Sequence, residues 1–439
     1  MKNFSYLNLE QFENYVIKEN KNFPFYYILS QNFNSINHSS LLLNKVSIFE
    51  KTERGTIKED KNVINVILTI LKKKEYSPVE KKQEIDNRLK IEIREKKSIG
   101  SMMGMAIGDA MGSTYEFQDV DYEKVDLFNM DKENEGAFNL EPGQWTDDCS
   151  MGLCIADSLL VNNGILDSHD LMHRFLAWCF GGYNNAFRFN EKNGLPSRSS
   201  IGLGGNISMA LFRYLVKKEP ETKAGNEKTS GNGSIMRNGA IPLCFYYDIN
   251  LARKMAIKQS LTTHQGLEAK ECCSLLTFII VKILNDEKLT LKEILENLGK
   301  DFDTDIESVR SLVRSEPDTD WNWKEKDYRY NEERAKKQPG YIGSYAMDNM
   351  CMSLHIVYYT NSFQEAIIKA VNLRGDADSV ASVVGQIAGA YYPLEDIPPD
   401  WIEKINKWDD GEIALRGYML SRLYSKKSIY IDTIDNLKK

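Results

Sequence analysis

The chain has 439 residues and a formal net charge of −7. Its length exceeds one typical domain and supports a large core, whereas its acidity argues against sequence-independent nucleic-acid binding, which rests on a basic face. It has no apolar h-region at the start and no stretch long enough for a membrane span, so the expected compartment is the cytoplasm; leaderless export would leave no mark.

Residues 1–95 read as a small, mainly helical module of unassigned role. Tyr6, Leu7, Phe12, Tyr15, Val16, Phe23, Tyr26, Tyr27 and Ile28 supply its apolar surface. It ends in a mixed-charge stretch up to Lys97 that predicts a solvated connecting helix. Residues 96–425 form the expected main domain, and 426–439 a polar tail. The seven cysteines avoid C-x-x-C spacing and several lie in apolar helical patterns, as reduced core thiols do.

Gly104, Gly108 and Gly112 lie four apart. Glycine inside a helix costs about 1 kcal/mol against alanine, so the repeat predicts another helix packed closely against it. Ala381, Gly385 and Gly389 repeat the spacing, and Asp109 argues against the membrane version of this motif. Just beyond the first repeat, Glu116 is either an acid/base group or an ordinary surface glutamate. His169 and His173 are spaced like zinc ligands on a helix, but Asp170 replaces the glutamate of H-E-x-x-H. Asp167-Ser168 predicts an N-cap there, with the histidines on an ordinary helix surface.

Next come Gly231-Asn232-Gly233-Ser234 and Arg237, a glycine-rich turn whose amides can face a phosphate. It lacks the Walker lysine and the dinucleotide spacing, so a plain turn is its simpler reading. Thr262-Thr263-His264 places one histidine among hydroxyls.

Thr146-Asp147-Asp148 and Asp376-Ala377-Asp378-Ser379 each stand at the mouth of a predicted helix. Such oxygen-only sets suit Mg²⁺ or Mn²⁺. N-capping explains one oxygen side chain per helix, but not two acidic clusters. Four crowded carboxylates without a cation would repel one another, so the pair predicts a two-metal site.

The ordered set Gly108-Asp109-Ala110 with Gly112 and Glu116-Phe117, Trp145-Thr146-Asp147-Asp148, Gly231 through Met236-Arg237, Thr263-His264 and Gly375 through Ser379 resembles the ADP-ribosylglycohydrolase family. The match runs from about Ser98 to about Lys407. It implies an all-α, compact helical domain with a binuclear Mg²⁺ or Mn²⁺ cleft, the metals held by Thr146, Asp147, Asp148, Asp376, Asp378 and Ser379. It further implies that Gly231, Asn232, Gly233, Ser234, Met236 and Arg237 hold ADP-ribose, with His264 approaching the ligand and Gly202 and Gly204 as a looser second glycine contact. Glu116, Asp147 and Asp148 are the acid/base candidates; which one protonates the leaving group stays open. The segment from Glu316 to Tyr341 reads as a surface connection, or as a rim whose Trp321, Trp323 or Tyr341 stacks on adenine.

The implied function is hydrolysis of ADP-ribose from an ADP-ribosylated protein, arginine-linked first and serine-linked or poly-ADP-ribose as alternatives, by a monomer. A non-catalytic ADP-ribose reader and a phosphohydrolase acting on free ADP-ribose are the competing readings. Ser379 stands where relatives often have threonine. Gln265-Gly266 stands where many have Pro-His, which bears on acceptor contacts rather than on the metals.

Overall fold

The computed structural model describes residues 82–120, 136–162, 164–187, 189–190, 195–196, 200–217, 219–222, 230–330, 343–409 and 411–423. Most of the front module, Tyr341 and the polar tail therefore lie outside the described residues. The elements begin with α1 (Lys82–Gly112), α2 (Asp147–Val161) and α3 (Ser168–Gly181). A two-residue ladder follows, β1 (Phe189–Asn190) antiparallel to β2 (Leu195–Pro196). Next are α4 (Gly205–Lys217), α5 (Ala240–Phe245), α6 (Ile249–Ser260), α7 (Leu267–Asn285), α8 (Leu291–Glu296), α9 (Leu298–Asp301) and α10 (Glu307–Arg314). The chain closes with α11 (Ala346–Tyr358), α12 (Phe363–Asn372), α13 (Ala377–Tyr391), α14 (Pro399–Asp409) and α15 (412–423). Apart from that short ladder the described residues form an all-α fold, as the family resemblance implies. None of its described helices is long and apolar enough to cross a membrane.

The glycine repeats build the centre. Gly100, Gly104, Gly108 and Gly112 of α1 meet Gly389, Gly385, Ala381 and Asp378 of α13 in antiparallel order. A Cβ on Gly104 would lie 2.0 Å from the Gly385 carbonyl oxygen, and one on Gly385 would lie 2.0 Å from that of Gly104. Backbone rests on backbone, and the antiparallel sense delivers the C-terminal end of α1 to the N-terminal end of α13. Buried Ser101 donates to the Gln386 carbonyl at 2.9 Å within the same seam. α11 and α12 pack on the rest of α13, and the almost wholly buried α7 runs beside them.

α1 runs without a break through the expected boundary at residues 95 and 96. Lys96 pairs with Glu395 at 2.8 Å and Lys97 donates to the Ile283 carbonyl at 2.6 Å, so this part of the connecting helix is docked. All seven cysteines are free, and all but Cys179 are buried.

The two histidines of α3 divide: His169 is exposed on the helix surface as expected, and His173 is not. Asp167 does cap the helix, accepting from the His169 and Asp170 amides at 2.9 and 3.2 Å. His173, however, is buried, because α4 crosses α3 and brings Tyr214 between the imidazoles. The Tyr214 hydroxyl lies 3.0 Å from His169 Nδ1 and 3.1 Å from His173 Nε2.

Gly385→Leu is expected to destabilise the protein by more than about 3 kcal/mol in urea unfolding, since two backbones must part to admit the side chain. Gly205→Ala, whose Cβ would meet nothing within 4 Å, should stay within about 0.5 kcal/mol. Equal stability of Gly385→Leu and the parent would contradict the seam.

Candidate active site and metal cluster

The acidic clusters meet where α1 ends and α13 begins. Arg374 and Gly375 both take φ 57°, a left-handed pair that reverses the chain into α13. Phe117, at φ 67°, is also left-handed; a non-glycine residue there costs on the order of 1–3 kcal/mol. The two strained turns are stitched together: the Phe117 amide donates to the Gly375 carbonyl at 2.7 Å, and the Gly375 amide donates to Gln118 at 2.9 Å. This brings carboxylate oxygens of Glu116, Asp376 and Asp378 within 4.8 Å of one another.

The other cluster is held by Asp109, which the sequence alone gives no place in the site. Asp109 of α1 is fully buried. Its Oδ1 accepts from the Thr146 amide and the Thr146 hydroxyl, both at 2.8 Å, and its Oδ2 accepts from the Cys149 amide at 2.8 Å. Asp109 thus caps α2 from a neighbouring helix. Asp109 belongs to the family-like set Gly108-Asp109-Ala110, and the signal for a role of its own was an acid inside a glycine-spaced core helix. Neither Thr146 nor Asp376 makes a side-chain cap bond to its own helix, so simple capping does not account for these side chains.

Thr146 Oγ1 lies 3.4 Å from Asp378 Oδ2, and Ser379 Oγ lies 3.5 Å from Asp148 Oδ2. The two clusters are therefore one site. Gly202, at φ 82°, covers Asp147: a Cβ there would stand 2.0 Å from Asp147 Oδ1. Asn232 Nδ2 donates to Asp376 Oδ2 and to the Gly343 carbonyl, both at 3.0 Å, which orients that acid.

Burial, followed by mutual repulsion, lifts these carboxyls. Asp378 is pushed up to about 6 by burial and then by the Asp109 charge. Asp109 also reaches about 6, burial outweighing its three hydrogen bonds. Asp147, Asp148 and Asp376 stand well above the ordinary range, each by burial first and the Asp378 charge second. Glu116 is raised by burial, then by Asp378 and Asp376. Glu116 Oε2 and Asp148 Oδ1 are buried without a hydrogen-bond partner among the described residues. A hard divalent cation would satisfy those oxygens and reverse the repulsion. The residues present fit one.

Around the glycine turn the expectations divide. The turn is anchored to 344–346, with the Asn232 amide donating to Ser344 and the Ala346 amide to Ser230, both at 2.8 Å. It continues as turns up to α5 rather than opening a helix. Gly231 and Gly233 lie against His264, which is almost wholly buried. Gly204 lies in the open, its Cβ position meeting only Ile207 at 3.9 Å.

Three neighbours of these glycines face inward. Ser234 Oγ accepts from Ser260 at 2.8 Å, and Met236 Sδ packs 3.4 Å from Ser379 Oγ. Arg237 corrects the expectation of a phosphate-facing charge: it is fully buried over the Phe175 ring at 4.5 Å, donating to Gln259, Thr262 and Thr263. Trp321 and Trp323 likewise do not form an adenine rim. Trp323 is core, donating to the Leu312 carbonyl at 2.8 Å, and buried Trp321 packs edge-on to Tyr345. Both fill apolar space against α10 and α11.

The sequence model of the ADP-ribosylglycohydrolase family matches residues 91–428. The chain belongs to that family. It is 32% identical to the ADP-ribosylarginine hydrolase Tri1 of Pseudomonas putida (strain GB-1) over 70% of this chain and 73% of that one. It is 26% identical to the ADP-ribosyl-[dinitrogen reductase] glycohydrolase of Rhodospirillum rubrum, covering 72% and 92%. Human ADP-ribosylhydrolase ARH3 is also 26% identical, over 74% of this chain and 93% of its own length. A solved structure titled ADP-ribosylglycohydrolase-related protein complex superposes with a TM-score of 0.57 at 28% identity, over 76% of this chain and 99% of that chain. Family membership makes the protein a glycosidic-bond hydrolase.

The raised carboxyls give a signed expectation. A carboxyl raised in the fold contributes stability below its unfolded pKa of about 4, and that contribution is lost as pH rises through its folded value. For Asp378 and Asp109 the loss therefore spans about pH 4 to about 6. Cation binding requires the same deprotonation. The gain in melting temperature on adding Mg²⁺ or Mn²⁺ should thus grow between about pH 5 and about pH 7.5. No gain at either pH would show that the cluster holds no cation.

Proposed function

We propose that the protein removes ADP-ribose from modified arginine side chains of proteins, using two divalent cations, Mg²⁺ or Mn²⁺. Thr146, Asp147, Asp148, Asp376, Asp378 and Ser379 would hold them. The observation that carries this reading is the meeting of the two clusters, with Glu116 within 4.8 Å of the second. The arginine linkage rests on the names of the Pseudomonas putida and Serratia proteamaculans relatives, each 32% identical.

When bound, the cations would polarise ribose hydroxyls and lower the pKa of a water. The chain's own part is positioning and charge. The carboxylates of Glu116, Asp147 and Asp148 flank the site and favour an oxocarbenium-like transition state at the anomeric carbon. Asp109 holds Thr146 and the start of α2, while Asn232 holds Asp376. The Gly231–Gly233 turn would receive the diphosphate and ribose, with His264 beside it.

With an arginine-linked ADP-ribosylated protein as substrate, chromatography should detect free ADP-ribose, and Asp378→Ala should cost at least about 100-fold in rate. AMP with ribose phosphate as products would instead establish a phosphohydrolase. Binding without turnover, at full metal occupancy, would establish a reader.

A side chain on Gly233 would collide with His264 Cε1 at 2.8 Å and crowd Ile207 Cδ1 at 3.2 Å. Gly233→Val should therefore weaken ADP-ribose binding by about tenfold or more while leaving the metal content unchanged. Unchanged affinity by calorimetry would remove this turn from the ligand site.

A further inference from the structure

Arg237 is a buried cation with no carboxylate in ion-pair range among the described residues. Its Nε donates to Gln259 Oε1 at 3.1 Å, and its Nη2 donates to the Gln259 carbonyl and Thr262 Oγ1, both at 3.3 Å. Its shortest bond is Nη2 to Thr263 Oγ1 at 2.7 Å. Nη1 lies 3.6 Å from Met151 Sδ, and Phe175 lies beneath the guanidinium. A fully buried guanidinium is costly unless its hydrogens are used. Here most of them converge on the segment that leads to His264.

Thr263 Oγ1 has two partners among the described residues: the Arg237 donor and His264 Nδ1, at 2.8 Å. A guanidinium can only donate, so it occupies a lone pair of the hydroxyl and leaves the hydroxyl proton to be placed. The acceptor in reach is His264 Nδ1. The opposite arrangement would aim two donors at one oxygen and leave the Thr263 proton without an acceptor. The ring must then carry its own proton on Nε2, the nitrogen at the edge that abuts the glycine turn. That atom lies 3.2 Å from where a Gly233 Cβ would stand and 3.4 Å from a Gly231 Cβ. It makes no hydrogen bond within the described protein.

We infer that Arg237 and Thr263 are positioning residues that hold His264 as the neutral Nε2–H tautomer, so that the imidazole presents a fixed donor to an oxygen seated at the Gly231–Gly233 turn. The ligand half of this rests on the proposed function, which puts phosphate and ribose oxygens there; the tautomer half stands on the hydrogen bonds alone. Burial, then the Arg237 charge, holds the imidazole down at about 3, consistent with a neutral ring. Arg237 itself is lowered by burial only to about 10 and stays charged at neutral pH. The relay also gives the buried arginine a purpose that direct phosphate contact does not.

The test is nitrogen-15 NMR on the full chain labelled at its five histidines, with His264 assigned by its loss in His264→Gln. His264 should show a protonated Nε2 and an unprotonated Nδ1 without any ligand. Thr263→Val should shift the ring toward Nδ1–H or a mixture and weaken ADP-ribose binding by about tenfold, and Thr263→Ser should restore both. A wild-type ring protonated at Nδ1 overturns the inference without reference to any variant, as does an unchanged tautomer in a folded Thr263→Val. A shifted tautomer with unchanged ADP-ribose affinity overturns the ligand half. If the parent protein shows the expected tautomer but binds no ADP-ribose, the proposed function fails and the relay stands.

Discussion

The site depends on two helical backbones touching. Where Gly104 lies on Gly385 and Gly108 on Ala381, no side chain separates α1 from α13. The seam ends with Gly112 against the backbone of Asp378, where a Cβ would come within 2.3 Å of the Asp378 Cα. Asp109, one turn earlier, thereby reaches Thr146 and Cys149, and Glu116, just beyond the seam, reaches Asp376 and Asp378. Glycine lowers helix propensity by about 1 kcal/mol each time, a cost offset by close packing and by what the seam positions. A wider spacing would move the two acidic clusters apart.

The converging acids oppose folding. Their carboxyls are buried, repel one another, and leave Glu116 Oε2 and Asp148 Oδ1 without partners among the described residues. Left-handed Phe117 and Arg374 add strain at the same place. Local rules broken together, in a region otherwise well packed, are the mark of a functional site. Stability and function conflict here, and a divalent cation bound among these acids would resolve the electrostatic part of that conflict.

Much of this was legible in the sequence because each signal had a local cause. Glycines four apart foretold the seam, and two oxygen-only clusters foretold one acidic site. What escaped was long-range. Asp109 looks like a lone acid in a core helix, and only the fold shows it capping α2. Arg237 follows a glycine-rich turn, as a phosphate-binding arginine would, yet its guanidinium turns inward to Gln259 and Thr263. Trp321 and Trp323 lie in a charged stretch that reads as surface, but their rings fill apolar space. Asn232 sits in the turn assigned to the ligand, and its side chain serves Asp376. In each case the residue type was informative and the direction of the side chain was set by distant packing.

The central claim is that the α1–α13 seam assembles a cation site from both acidic clusters. Anomalous diffraction from crystals grown with Mn²⁺ tests it most directly. The account predicts manganese peaks between the Thr146–Asp148 group and the Asp376–Ser379 group, with oxygens of both within coordination distance. Manganese bound only elsewhere, or ligated by one cluster alone, would contradict it.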